Sequence, residues 1–174
     1  MVSASQSPAP PLTLRPLSPD DASELQAVYQ ASAAFFIGDS GAPLDPAQAS
    51  ADLAAAGAEE GRFLVGIALH DAMIGVIDLW LAQPGPLDVA IGLILLAEPY
   101  RRQKLGTWAL RILEAWLSRD TPSEAVVVAL PAQDHAAQGF FTASGYSFTG
   151  QSTRALVGTS RLRLLEMRKS LVGC

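Results

Sequence analysis

The sequence predicts one α/β (α+β) domain: a mixed central sheet of about seven strands flanked by about four helices, in the order β-α-α-β-β-β-α-β-α-β-β. Three observations carry the prediction. Apolar runs at Arg62 to His70, Ile74 to Leu81 and Asp88 to Leu96 follow one another across short turns, the pattern of an antiparallel meander. Leu105 to Leu117 then places Leu105, Trp108, Ala109, Ile112, Leu113, Trp116 and Leu117 at steps of three and four, as a helix with one buried face requires. Arg111, Glu114 and Arg119 fall on its other face. Finally, the β-branched run Ala125 to Leu130 comes after that helix, and a strand reached through a helical crossover lies parallel to the strand before it, here Ile91 to Leu96.

The remaining elements follow in order. Residues 1–11 are small, polar and proline-rich, which predicts a disordered tail without the basic and apolar regions of a secretory signal. The domain is predicted over 12–171, with 172–174 as a short tail. Leu12 to Arg15 alternates as a first strand. Ser18, Pro19 and Asp21 start a helix as N-cap, first residue and capping-box partner, and that helix is expected to run to about Ala34. Phe36 to Leu44 is a turn-rich loop. Asp45 to Gln48 opens a second helix, and Gly57 suits its end. His70 to Met73 and Gln83 to Pro86 are turns. The Leu105 helix should stop near Asp120, because Thr121 precedes Pro122. Asp134 to Ala143 is a short helix ended by Gly145. Phe148 to Val157 and Leu162 to Arg168 close the chain as a hairpin around Gly158, Thr159 and Ser160.

The chemistry concentrates at Ala90 to Arg119, where a strand runs through the basic turn Glu98 to Gly106 into a helix. The first N–H groups of a helix have no internal partner and sit in positive potential, so such an end binds phosphate. Arg101, Arg102 and Lys104 add charge, and Gly106 permits close backbone approach. The alternative is a solvated basic turn before an ordinary core helix.

Tyr100-Arg101-Arg102-Gln103-Lys104-Leu105-Gly106 resembles the acetyl-CoA signature of the GNAT (GCN5-related) N-acetyltransferases: Arg or Gln, two residues, Gly, one residue, then Gly or Ala. Arg101 and Gly106 match, and Lys104 stands at the first glycine position. Downstream, Asp134, Ala137, Phe140, Phe141, Gly145 and Tyr146 resemble the family's later motif, Asn-x-x-Ala-x-x-Leu-Tyr-x-x-x-Gly-Phe. Asp134 replaces its Asn and Phe141 its Tyr. The resemblance covers Leu12 to Leu171 and implies the GNAT fold, which has the element order given above.

The resemblance also implies a function: an acetyl-CoA-dependent N-acetyltransferase that moves an acetyl group to a primary amine by direct attack on the thioester. CoA is then expected between the two parallel strands. Ile94, Leu95 and Leu96 would pair with pantetheine, and Arg102, Gln103, Lys104, Leu105, Gly106 and Thr107 would hold the pyrophosphate. The amide of Leu95 or Leu96 would polarise the acetyl carbonyl. Arg101, Asp134 and Phe141 complete the expected cofactor contacts, and Phe35, Phe36 and Asp39 are candidates for the acceptor pocket. Phe35 and Phe36 read equally well as core aromatics beside a solvated turn.

Asp78 lies in an otherwise apolar strand, so it must face water, a partner or a pocket. It is a candidate base acting through a bound water, against the reading of a solvent-facing position. With Phe141 in place of tyrosine, the thiolate proton would come from water, from the acceptor ammonium, or from a side chain such as Tyr146 or Ser144. Two rival functions stand beside transfer. One is a GNAT-fold module that holds CoA or acyl-CoA without catalysis. The other is a nucleotide-binding domain, disfavoured because no Walker-type Gly-Lys-Ser/Thr is present.

Composition bounds the rest. No metal is expected, since only His70 and His135 occur and the single cysteine is Cys174. His70 is read as a turn residue, and His135, after Asp134 at a helix start, as a capping or surface residue. The net charge of −5 argues against nucleic-acid binding. No apolar run reaches the ~20 residues of a membrane helix. The expected partner is a small-molecule amine or a peptide or protein amine, with a homodimer left open as the assembly, and a cytoplasmic location is expected.

Overall fold

The computed structural model describes residues 11–37, 43–157 and 160–173. Its seven strands are β1 (Leu12–Pro16), β2 (Arg62–Leu69), β3 (Ala72–Leu81), β4 (Asp88–Leu96), β5 (Ala125–Pro131), β6 (Ser147–Val157) and β7 (Ser160–Ser170). They form one mixed sheet in the order β1-β2-β3-β4-β5-β7-β6. Every pairing is antiparallel except β4 with β5. The predicted meander and parallel crossover are both present. His70 and Asp71 take φ of 49° and 67° in the β2–β3 turn, as a two-residue hairpin demands.

The described residues contain five α-helices, one more than expected: α1 (Ala22–Gln30), α2 (Ala33–Ile37), α3 (Gln48–Ala58), α4 (Leu105–Asp120) and α5 (His135–Ala143). The extra one arises because the first helix does not run unbroken to Ala34. It stops at Gln30 and restarts at Ala33. The Ala31 carbonyl accepts the Glu98 N–H at 3.2 Å, and Ser32 Oγ donates to the Leu96 carbonyl at 3.2 Å. The break is the point where this corner is stitched to the end of β4. Upstream, Asp21 accepts from the Ser18 N–H at 2.8 Å, so the capping pair forms, but it heads a 3-10 turn over Pro19–Asp21 that leads into α1.

Helices cover both faces of the sheet. α1 and α3 bury Leu25, Tyr29, Ala49 and Leu53 against Leu64, Val76 and Leu95. On the opposite face α4 and α5 close a larger core with Leu105, Leu110, Leu113, Leu117 and Phe141 over Val89, Ile91, Val126, Val128 and Met167 of the sheet. Burying a leucine contributes about 1.5–3 kcal/mol, so the α4 stripe is a principal anchor. That stripe is rotated from the expected one. Leu110 and Glu114 are buried, whereas Trp116 is 41 % exposed. Apolar spacing alone admits either rotation. The choice is made by Glu114, whose carboxylate is needed inside: it accepts from Tyr146 Oη at 2.8 Å and from Lys169 Nζ at 2.6 Å.

Among the described residues no helix is long and apolar enough to cross a membrane.

Candidate active site

β4 and β5 pair only over Asp88–Ile91 with Ala125–Val128. Beyond that point β4 continues to Leu96 and β5 to Pro131, each held only by its outer neighbour. A gap therefore opens at the C-terminal ends of the two parallel strands. It starts at a bulge: the β3–β4 register shifts between Asp78 and Leu79, opposite Leu93 and Ile91, which leaves Gly92 as the extra residue. A bulge bends its strand and increases the local twist. Only glycine fits there, because a Cβ on Gly92 would lie 2.6 Å from the Trp80 ring.

The backbone of β4 presents polar groups to this gap. The Ala97 N–H donates to the Ile74 carbonyl on β3 at 2.8 Å, so the Leu96 carbonyl, in the same peptide unit, points the other way. By strand alternation the N–H groups of Leu96 and Ile94 also face away from β3. Those of Leu95 face β3, and the Leu95 carbonyl is the nearest neighbour of the space above Gly75. The Leu96 carbonyl accepts from Arg101 Nε at 2.8 Å and from Ser32 Oγ.

After β4 the chain turns through a 3-10 segment at Glu98–Tyr100 and enters α4. Arg102 and Lys104 have φ of 60° and 62°. Both lie in the left-handed region, where a residue with a Cβ costs about 1–2 kcal/mol. Lys104, the N-cap of α4, thus adopts the backbone shape that glycine takes freely. Left-handed residues at 102 and 104 alternate with Gln103, whose φ is not positive, the kind of alternation from which anion-binding nests are built. After Arg101, whose N–H donates to the Glu98 carbonyl, the next amide to find an acceptor is that of Trp108, on the Lys104 carbonyl at 3.1 Å. Among the described residues, the amides of 102–107 donate to no protein acceptor. Gln103 Nε2 braces the turn on the Pro99 carbonyl at 2.7 Å. The side chains of Arg102 and Lys104 are exposed. A Cβ on Gly106 would meet the Phe140 ring at 3.5 Å and Leu96 Cδ1 at 3.6 Å, ordinary contacts that place this glycine between the β4 terminus and α5.

The later motif builds the other wall. Asp134 is the N-cap of α5, its Oδ1 accepting the Ala137 N–H at 3.0 Å, and His135 is the first residue of that helix. Phe141 is 6 % exposed and packs edge-on between Phe140 and Tyr146, 5.0 Å from each ring. The ring beside Gly106 is that of Phe140. Tyr146 is sealed in the core. Burial first, and then the Glu114 carboxylate, raise its hydroxyl far above the usual tyrosine range. Ser144 donates to the Phe140 carbonyl at 2.9 Å. Neither Tyr146 nor Ser144 has a free proton directed at the gap, and this corrects the expectation that either could serve as the thiolate acid.

Asp78 is not at the solvent. It is buried and accepts from Arg62 twice, Nε to Oδ1 at 3.1 Å and Nη2 to Oδ2 at 2.8 Å. Burial pushes its carboxyl up from the ordinary carboxylate range, and Arg62 pulls against that shift. Arg62 also reaches Glu59 and lies over the Trp80 ring, 4.7 Å from its centroid. Pairing with β2 sixteen residues upstream decides this environment, and nothing local to β3 signals it. Of the acceptor-pocket candidates, Phe35 is 53 % exposed on α2, the backbone of Phe36 belongs to α2, and Asp39 lies outside the described residues. Phe35 is therefore no core aromatic. Among the described residues no group of three or more His, Cys, Asp or Glu side chains is arranged to hold a metal ion.

A splayed parallel pair ending in an amide-lined turn agrees with comparison to known proteins. The profile of the acetyltransferase (GNAT) domain matches residues 11–147. The chain belongs to the GNAT acetyltransferase family. Its fold is shared with an acetyltransferase from Thermus thermophilus, at 22 % identity and TM-score 0.77 over 93 % of this chain and 98 % of that one. It is shared also with RimL, a ribosomal L7/L12 alpha-N-protein acetyltransferase in complex with coenzyme A, at 12 % identity and TM-score 0.76 over 91 % and 93 %. A third similar structure is the ribosomal-protein-S18-alanine N-acetyltransferase from Escherichia coli, at 14 % identity and TM-score 0.67 over 94 % and 96 %. No curated protein matches the sequence.

Proposed function

We propose that this protein binds acetyl-CoA in the β4–β5 gap and transfers the acetyl group to a primary amine. The observation that carries the reading is the run of unpartnered amides at 102–107, at the end of a strand whose Ile94 and Leu96 N–H groups face the same gap. Those turn amides, with Arg102 and Lys104, suit a pyrophosphate. Arg101 sets the turn by gripping the Leu96 carbonyl, and Asp134 fixes the start of α5. The N–H groups of Ile94 and Leu96 suit pantetheine and the acetyl carbonyl. Leu96 is a better oxyanion donor than Leu95, whose polar groups are spent on β3.

The reaction is direct. The amine lone pair attacks the thioester carbon, negative charge develops on the carbonyl oxygen, and a fixed amide stabilises it. The C–S bond then breaks, and the proton shed by the ammonium ends on the CoA thiolate, directly or through water. An amine that enters neutral needs no protein base before attack. Asp78, held twice by Arg62, acts in this reading as an anchor of β3 and not as that base. A peptide or protein amine is the favoured acceptor class, supported by the two neighbours described as ribosomal-protein acetyltransferases. A cytoplasmic setting accords with such acceptors.

Saturation with CoA at about a hundred times Kd should stabilise the fold by roughly 2.7 kcal/mol. The absence of any thermal shift at saturating CoA would overturn the cofactor assignment. Thiol release over a panel of amines and N-terminal peptides then tests transfer. A second reading, a non-catalytic CoA-binding module, draws on Phe141, which has no hydroxyl to give the thiolate. It predicts CoA binding without turnover by the wild type, and if the missing hydroxyl is the cause, Phe141→Tyr should create turnover.

A further inference from the structure

The chain has twelve lysine and arginine residues and a net charge of −5. Arg15, Arg62, Arg119, Arg168 and Lys169 are paired with carboxylates, and Arg111 lies over the Trp108 ring. Arg101, Arg102 and Lys104 belong to the turn before α4. The remaining three, Arg154, Arg161 and Arg163, stand together on the β6–β7 hairpin. Arg154 is directly opposite Arg163, and Leu156 is opposite Arg161 two residues further along, so all three project from one face. All are exposed. Among the described residues none has a carboxylate partner. Like charges placed directly opposite on adjacent strands are destabilising, so the Arg154–Arg163 pairing carries a cost to stability.

The position of the trio gives it a use. The Ala132 N–H donates to the Arg163 carbonyl at 2.8 Å, and Leu164 pairs with Pro131. Arg163 is thus fastened just past the end of β5, at the β5 side of the gap mouth. The trio is separated from the α4 turn by β5 and α5. In the sheet order, β5 and β7 stand between β4 and β6, and the divergence of β4 from β5 widens that separation at the mouth. A second cationic surface at the mouth, apart from the one that suits the cofactor phosphates, fits the other substrate.

We infer that the Arg154–Arg161–Arg163 face docks an acidic acceptor: a peptide or protein segment whose amine enters the gap while its following carboxylates meet the hairpin. This rests on the transfer reading above for the amine, but not for the docking. A net-negative protein repels such a segment at long range, and a local cationic face reverses that repulsion where the chain must be aligned. Nucleic acid is the less suitable occupant, because three arginines on an acidic protein supply little phosphate neutralisation.

The test is binding of a fluorescent glutamate-rich peptide with a free N-terminal amine, in the presence of saturating CoA, to wild type and to the Arg154→Gln/Arg161→Gln/Arg163→Gln variant. Wild type should prefer it to a glutamine-substituted peptide, and the variant should lose about tenfold in affinity for the acidic peptide alone, the sum expected of three exposed pairs. CoA affinity should not change, and the triple Arg→Lys variant should retain most of the binding. Arg163→Gln serves as a milder substitute if the triple variant folds poorly. Equal affinity for both peptides, or an unaffected triple variant, overturns the inference. A fall in CoA affinity would assign the face to the cofactor, and tighter binding of a single-stranded oligonucleotide than of the peptide would assign it to nucleic acid. Either result also overturns the inference. If the acidic peptide binds as expected but no thiol is released, docking stands and the transfer reading fails.

Discussion

The turn before α4 and the β6–β7 hairpin both gather basic side chains without carboxylate partners, but they are built differently. In the turn, charge accompanies a fixed backbone: two left-handed residues, a run of unpartnered amides and a helix N-terminus. In the hairpin, charge stands on regular strand backbone, with Arg154 directly opposite Arg163 and Arg161 two residues along. The first arrangement is a shaped receptor for one compact anion, since dipoles that cannot reorient need no reorganisation on binding. The second is an adaptable field, suited to carboxylates spread along a chain. The comparison separates a cofactor that must be held in one place from an acceptor that must only be aligned.

The largest effect should come from a basic residue that belongs to neither group. Lys169 lies on the same strand as Arg161 and Arg163 but is spent on buried Glu114 and on the Ser144 carbonyl. Lys169→Ala strands a buried carboxylate and should cost about 3–5 kcal/mol in denaturant unfolding. Arg163→Ala should cost under about 0.5 kcal/mol. Equal losses would mean that the hairpin arginines are structural after all.

Within the turn, Arg101→Ala removes a charge-assisted hydrogen bond to the Leu96 carbonyl. Such a bond is worth about 1.5–3 kcal/mol, so CoA affinity measured by calorimetry should fall roughly ten- to hundredfold. No hairpin variant should do this. A turn that binds CoA as well without Arg101 would be held by its amides alone.

Smaller and more discriminating are two replacements of Lys104. Lys104→Gly removes the left-handed cost of about 1 kcal/mol and should raise Tm by roughly 2–4 °C. Lys104→Ala keeps most of the backbone cost and loses the charge, so it should weaken CoA chiefly at low salt. If glycine brings no gain in Tm, the left-handed geometry at 104 carries no strain. If alanine leaves CoA affinity unchanged at low ionic strength, the lysine side chain points to solvent and only the turn's shape matters.

Smallest of all should be the change in CoA affinity between moderate and high salt, compared with that in acidic-peptide affinity. Exposed side-chain pairs are screened over about 10 Å at 0.1 M salt, whereas amide contacts made within the gap are screened less. Peptide binding should therefore weaken more steeply with salt than CoA binding. A steeper CoA slope would reverse the comparison.

Features set by neighbours along the chain are legible in the sequence alone. The strand–turn–helix at Ile91 to Leu117, the meander, the parallel crossover and the stop at Asp120 all follow from period, turn residues and proline position. The departure at Lys104 is visible as a residue standing where glycine is usual, and the fold assigns it the conformation that glycine would take. Features set across the sheet are not legible in this way. Asp78 reads as an isolated carboxylate because its partner Arg62 arrives only through the β2–β3 register. Glu114 reads as an outward residue because apolar spacing fixes a helix stripe only to within about one position. Tyr146 and Lys169, brought from two later elements, decide its rotation. The gap itself depends on Gly92 bulging beneath Trp80, a contact between strands. The reason is common to all three. Periodicity and turn chemistry act through bonds between near neighbours, whereas register, bulges and buried ion pairs are decided only when distant segments share one sheet.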